Sequence, residues 1–594
     1  MVAPRIYRAG LGLVLIAVIV FAFSLQGQPG GATTTLAPGP YFTSTAQTTR
    51  ALARDYPDRT PGGVGDQSLA EHVAAVLSSP KFPGFSVSTR SQIADTAVGS
   101  RALETVTAYR PGSSPGTIVI VSHRDGTGVA DMSGTAVMLG LEQALSGETL
   151  HRSVMLVSIS GQVGAAGATD LARTLAGQSV DAVIVLGNLA GAQVDRPVVV
   201  PWSNGDVVAP PLLRNTVAGL VAQQAGLNPG TYGIGSQIAQ LAFPFALTGQ
   251  APLNSRGIPA VLLSLSGDRI TPAGAALGPP ARVAALGTAV LQTVNAIDGG
   301  GQIATPSPYL SISGQFVPDW AVRLLVLVLI LPVAIATVDA LARARRRGHS
   351  TPMWIGWVLA GAVPFLVGLV TVLLARAVGL LSATPPGAVG AGGVPISGGD
   401  AAALAITVAA VVASFVWLRP RVLQLLSWVL GGVARRAESP AADGAAVSLS
   451  VVMCVLTLVI WVVNPFSAAL LTVALHAWIW LAQPAVRARR TAVLALAVLG
   501  IVPALLVAAY FMRAYGLSPV GLAWSVTLMI ASGKLAAAGV YWSVALGCFA
   551  SALVIAVRAA RAGTVDLEPT VTVRGPLSYA GPGSLGGTES ALRR

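Results

Sequence analysis

Thr117-Ile-Val-Ile-Val-Ser122, then His123-Arg124-Asp125, then Gly128-Val-Ala-Asp131-Met-Ser133-Gly134 is the stretch on which the fold turns. A short β-branched run ending in polar side chains, followed by 3.6-residue periodicity over 137–145, reads as strand, strand-end loop and helix. That strand covers 118–121; working outward, further strands are predicted over 154–159, 182–186, 198–200 and 260–265, and further helices over 165–175, 213–224 and 281–297. Strands alternating with helices imply a mainly parallel sheet covered on both faces. Ligands of such sheets sit beyond the carboxyl ends of the strands. The polar residues that follow each strand are therefore the ones to weigh.

This α/β unit, over 27–317, occupies half of a chain whose remainder is far more apolar. The 594 residues are 53% apolar and 10% charged, which excludes a wholly soluble protein. The net charge is +13, and of its 37 basic residues only Lys81 and Lys534 are lysine. Most arginines flank apolar runs, so they read as topology signals and exclude the basic stripe of a nucleic-acid binder. Cys454 and Cys548 both lie in apolar segments, so no disulfide framework supports the α/β unit.

Residues 1–26 read as an amino-terminal span, with Arg5 and Arg8 ahead of the run 11–25; a cleaved signal peptide reads almost the same way. Either reading exports 27–317. From 318 to 562 about seven spans are expected, near 320–341, 354–377, 402–418, 447–463, 467–483, 491–511 and 537–557. The pieces 422–433 and 519–532 are too short to cross comfortably and read as interfacial or re-entrant. Alternation puts Arg343/Arg345/Arg346/Arg347, Arg419/Arg421, Arg435/Arg436, Arg487/Arg489/Arg490 and Arg558/Arg561 in the cytoplasm, and the Gly/Pro-rich loop 382–399 outside. The carboxy terminus is then cytoplasmic, and 563–594 reads as a disordered tail. Arg376 and His476, the ionisable groups inside the spans, read as a snorkelling arginine and a hydrogen-bonded bundle histidine.

After the second strand comes Gly161-Gln162-Val163-Gly164-Ala165-Ala166-Gly167-Ala168, after the third Gly187-Asn188-Leu189-Ala190-Gly191, and later Gln250-Ala251-Pro252-Leu253 ahead of Gly257-Ile258-Pro259. In this order, over about residues 50–300, the chain resembles the co-catalytic di-zinc aminopeptidases, metallopeptidase family twenty-eight. That family's pattern is HxD, GAxDxxSG, EExGxxGS, an Asp after a short apolar strand, and a His shortly before GIP. Arg59-Thr60-Pro61-Gly62 resembles its R-x-x-G entry.

On this resemblance His123 matches the first ligand, Asp125 the supporting carboxylate and Asp131 the bridging ligand, one residue closer to Ser133-Gly134 than the pattern has it. The general-base and ligand glutamates are replaced by Gly161 and Gln162, the next ligand Asp by Asn188, and the last His by Gln250. Glycine cannot take a proton from a metal-bound water, and neutral amides are poor zinc ligands. The expectation is a pseudo-enzyme with no cofactor, its pocket lined by His123, Asp125, Asp131, Gln162, Asn188 and Gln250, which bond among themselves or to water. Any metal would sit on His123 and Asp131, and zinc returns only if the chain is an active aminopeptidase with altered ligands. No substitute nucleophile stands out, since Ser122, Ser133, Ser158 and Ser160 lack a nucleophile elbow and His72 and His151 lack triad companions.

The arrangement of one amino-terminal span, an exported aminopeptidase-like domain and a multi-span carboxy-terminal region resembles endoplasmic-reticulum multispanning metallopeptidases and the attachment subunit of the glycosylphosphatidylinositol transamidase. Arginine in place of lysine, with Ala/Gly richness, looks like a high-GC bacterium, which makes the membrane a plasma membrane. The function expected is a membrane-anchored scaffold or peptide-binding subunit, with membrane lipid and a peptide or protein as partners and no nucleic acid. A transporter or lipid handler is the remaining alternative.

Overall fold

The computed structural model describes residues 4–34, 39–429, 443–483, 486 and 489–562. The expected arginine pair at 435 and 436, Arg487 and the tail from 563 fall outside these. Among the described residues ten strands run in chain order: β1 (Gln26–Gly27), β2 (Ser86–Thr96), β3 (Gly99–Arg110), β4 (Ser114–His123), β5 (Arg152–Ile159), β6 (Val180–Leu186), β7 (Val199–Val200), β8 (Ala260–Leu263), β9 (Tyr309–Ile312) and β10 (Gln315–Pro318). Seven form one sheet in the order β2-β3-β5-β4-β6-β8-β7. Its centre, β5-β4-β6-β8, is parallel, and its margins pair antiparallel.

The sequence explains the centre. From Ile118 to Val121 every β4 side chain is buried, as both faces of a parallel strand must be when helices cover them. Each such Val or Ile contributes about 1.5–3 kcal/mol on burial. The helices Ser133–Leu145, Ala166–Thr174, Pro211–Ala225 and Pro280–Asp298 stand where periodicity places them. The long hairpin β2–β3 has no apolar run to announce it, because β2 is mostly exposed. From β4 the chain moves to β5 on one side and to β6 on the other, so the order reverses at the carboxyl end of β4. Such a switch point opens a crevice.

Among the described residues five helices are long and apolar enough to cross a membrane: Asp319–Arg346, Thr351–Ala377, Gly398–Val429, Gly444–Val463 and Ala536–Ala559. A sixth span results if Arg490–Leu499 and Val502–Tyr515, bent by 46°, count as one. Pro465–Leu481 and Pro519–Ala531 are shorter apolar helices, as is the described stretch Gly10–Phe23 at the amino terminus. Of the seven stretches expected, 467–483 falls on the shorter helix Pro465–Leu481 and 491–511 on the bent pair. Of the 422–433 piece, 430–433 lie outside the described residues and the rest is not separate: a π-helical turn over Ser414–Leu418 carries Gly398–Ala413 into Arg419–Val429. Only 11% of the most apolar window of Gly398–Val429 is buried inside the molecule, so most of its apolar side chains lie on the surface.

The two regions interlock. β1 pairs with β10, which leads directly into Asp319–Arg346. Arg376 donates to the Ala531 carbonyl at 2.6 Å and reaches Asp95 of β2 at 3.4 Å, while Asn464 Nδ2 donates to the Leu241 carbonyl at 2.8 Å. His476 is hydrogen-bonded at both ring nitrogens, to Tyr7 Oη at 2.6 Å and the Leu329 carbonyl at 2.9 Å.

Candidate functional site

A cavity of about 660 Å3 opens at the carboxyl edge of the sheet beside the switch point. Asp125, Asp131 and Gln162 line it, together with Arg59, Arg269 and Tyr515. Gly390–Gly393, from the loop between the second and third long apolar helices, form another wall. The loop lies directly on the turn after β5: a Cβ on Gly164, whose φ is +74°, would stand 2.3 Å from Pro385 Cβ.

β4 delivers His123, Arg124 and Asp125 to this edge, and alternation sends them different ways. Arg124 points inward and is fully buried. Its Nε donates to Asp66 Oδ1 at 2.8 Å, Nη1 to the Ser158 carbonyl at 3.1 Å, and Nη2 to the Glu104 carbonyl. Burial raises the Asp66 carboxyl above its usual range while Arg124 pulls it down. Asp125 faces the cavity, and its Oδ2 accepts the Gln162 backbone N–H at 2.8 Å. His123 lies beneath, with both ring nitrogens buried and without hydrogen-bond partners and Nδ1 3.7 Å from Asp125 Oδ1, too far for a hydrogen bond.

Asp131 Oδ2 accepts the Gly128 N–H at 2.9 Å. Burial raises its carboxyl above the ordinary range, and the Gly128 N–H, Thr271 and Arg59 draw it back. Arg59, whose guanidinium is pushed down by burial, donates to the Gly128 and Tyr56 carbonyls and so fixes the loop that carries Asp131.

The remaining expected residues are elsewhere. Asn188 folds back on its own loop: Oδ1 accepts from Ala190 and Gly191 N–H at 3.1 and 2.7 Å, and Nδ2 donates to Ser266 Oγ at 2.9 Å. Gln250, fully buried, donates to the Trp202 carbonyl at 3.4 Å, and its Oε1 has no partner. Thus Asp125, Asp131 and Gln162 meet in the cavity, and His123, Asn188 and Gln250 do not. The expected network among all of them reduces to the single Gln162–Asp125 bond. Asn188 and Gln250 take their hydrogen bonds from nearby backbone groups and a hydroxyl.

Among the described residues no three His, Cys, Asp or Glu side chains stand together as a metal would need. One imidazole and one carboxylate with free atoms, 3.7 Å apart, fall short of the three or four ligands of a zinc site. Gly161, in the turn after β5, has φ +82° and no side chain to offer. These residues do not fit a pair of zinc ions.

Asp268, just past β8, was missed. The rule that singles out His123, a polar group after a strand's carboxyl end, would have found it. Arg269 and Tyr515 carried no such signal, since they reach the cavity wall only through tertiary packing.

No family model matches the sequence, and no curated protein does. Among solved structures, an Acidobacteriales bacterium glutaminyl cyclase is 15% identical, with 46% of this chain and 100% of that chain covered and a TM-score of 0.34. The Legionella pneumophila LapA aminopeptidase is 14% identical over 43% of this chain and 72% of its own, TM-score 0.34. A leucine aminopeptidase precursor from Bacteroides thetaiotaomicron is 12% identical over 44% and 99%, TM-score 0.32.

Proposed function

We propose that the chain is a membrane-embedded, zinc-peptidase-like protein without peptidase activity, whose sheet-edge cavity holds a peptide or protein segment at the outer face of the membrane. The carrying observation is the turn after β5. Where hydrolysis needs a carboxylate to take a proton from water, Gly161 has none, and the neighbouring Gln162 spends its backbone N–H on Asp125. A cavity of about 660 Å3 remains, within the 300–1,000 Å3 typical of ligand sites. Its mixed lining, Asp125 and Asp131 against Arg59 and Arg269, suits a substrate carrying both an amine and carbonyl groups. The outward placement is supported by the arginines that close Asp319–Arg346, and by the loop bearing Gly390–Gly393, which alternation puts on the same side as the cavity it walls.

The test uses the full chain purified in detergent. Elemental mass spectrometry on the protein and on His123→Ala is expected to find no stoichiometric zinc in either, and zinc-supplemented protein is expected to release no amino-terminal residues from peptides. Two zinc ions per chain, lost in His123→Ala, would replace this reading with that of an active aminopeptidase. For binding, Gln162→Trp fills the cavity and is expected to abolish retention of a peptide mixture that His123→Ala retains.

A further inference from the structure

A second cavity, of about 290 Å3, lies between the α/β domain and the helix Val502–Tyr515, sharing Tyr515 and Arg269 with the first. At its inner end is Asp268, a buried carboxylate. Its Oδ1 accepts from the Thr248 hydroxyl, and its Oδ2 lies 2.7 Å from Tyr515 Oη. Among the described ion pairs none includes Asp268. Its neighbour Arg269 turns away, donating to the Ala514 and Arg513 carbonyls that end the helix and standing 3.9 Å from Asp195.

A buried carboxylate with neutral partners only is costly, and burial pushes this one up to about 6. An arriving cation would offset that cost. The surroundings fit an organic one. Trp202 and Tyr232 meet edge to face at 4.6 Å and line the cavity with Tyr510, and ring faces attract ammonium groups. Gln240, buried at the same wall, has an amide oxygen with no partner, which an N–H could use. At the exposed rim stand Arg196 and Arg269, cations that would repel a bare ammonium and receive an anion tied to it. The same helix also lines an apolar cavity of about 230 Å3 with Ala504, Val507 and Phe511.

We propose that this second cavity binds a zwitterionic aminophosphate. Its ammonium sits against Asp268 and the rings of Trp202, Tyr232 and Tyr510, and its phosphate sits at the Arg196 and Arg269 rim. The chemistry is that of a phospholipid headgroup or of the corresponding free phosphoamine. This site goes beyond the peptide-holding reading and does not depend on it.

The test is calorimetric titration of the full chain, in nanodiscs of phosphatidylglycerol, with O-phosphoethanolamine, ethanolamine and inorganic phosphate. O-phosphoethanolamine is expected to bind saturably, and Asp268→Asn, which keeps the volume, to weaken it about tenfold or more. Tyr232→Ala is expected to weaken it about three- to tenfold, and serves if Asp268→Asn does not fold. Arg196→Gln is expected to weaken O-phosphoethanolamine while leaving ethanolamine unchanged. Native mass spectrometry of protein from its own membranes then separates the sources. Retained zwitterionic phospholipid, lost in Tyr232→Ala, identifies the headgroup; titratable binding without retained lipid identifies the free phosphoamine. Folded protein that binds neither, or binding unchanged in both variants, overturns the proposal.

Discussion

The carboxyl edge of the sheet divides at β4 into two halves built from the same kind of strand-end loop. On the β4–β5 side the polar groups face a cavity or sustain it: Asp125 and Asp131 line it, and Arg124 and Asp66 hold the floor. On the β6–β8 side Asn188 is consumed by its own loop and Gln250 by the Trp202 carbonyl. A motif can therefore keep its place in the chain while its side chain changes employment. What decides is whether a charge remains that must be solvated or paired.

That difference can be broken by mutation, and the largest effect belongs to the floor. Arg124→Ala leaves Asp66 buried and unpaired, so unfolding of the purified protein is expected to show a loss of about 3–5 kcal/mol. Next comes Glu142, on the helix that follows Asp131. It is buried, neither carboxylate oxygen has a partner, and burial raises it to about 7. Because the folded value lies above the unfolded one, the folded state binds the extra proton, and stability falls as pH rises from about 4.5 through 7. Glu142→Gln is expected to remove that slope, with a gain on the order of 1–3 kcal/mol at pH 8 and little change at pH 4. Thermal unfolding across that range reads it, and a parallel shift at both pH values would refute the assignment.

On the other half, Asn188→Ala strands two buried backbone N–H groups and is expected to cost about 1–3 kcal/mol without changing the cavity's occupancy. His123→Leu sharpens the contrast as the smallest change. With no partner on either nitrogen to lose, it is expected to shift stability by less than about 1 kcal/mol. A large loss there would mean that His123 holds something in the working protein.

Much of this was legible in the sequence. β4 and β6 are rich in Val and Ile and β5 and β8 are short apolar runs, as strands buried on both faces require, and the helices between them carry their own period. The span count was less legible, because hydropathy reports apolar length, while a break such as the one at Gly500 and Ile501, just ahead of Pro503, depends on packing. The hairpin β2–β3 was silent because an exposed ribbon needs no apolar pattern. In the site, residue types alone do not say which amides face the cavity. Orientation is set by the nearest free N–H or C=O, and those come from loops distant in the chain. The wall formed by Gly390–Gly393 and Tyr515 had no signature for the same reason.

Tyr515 stands in the partition between the two cavities, at the end of a helix already bent 46° from the one before it. Its hydroxyl is tied to Asp268, to the Phe245 carbonyl and to Gln240, so the ring cannot tilt toward one chamber without withdrawing from the other. A molecule that shifts this ring alters affinity across the partition, and reciprocity requires the second molecule to alter the first by the same factor.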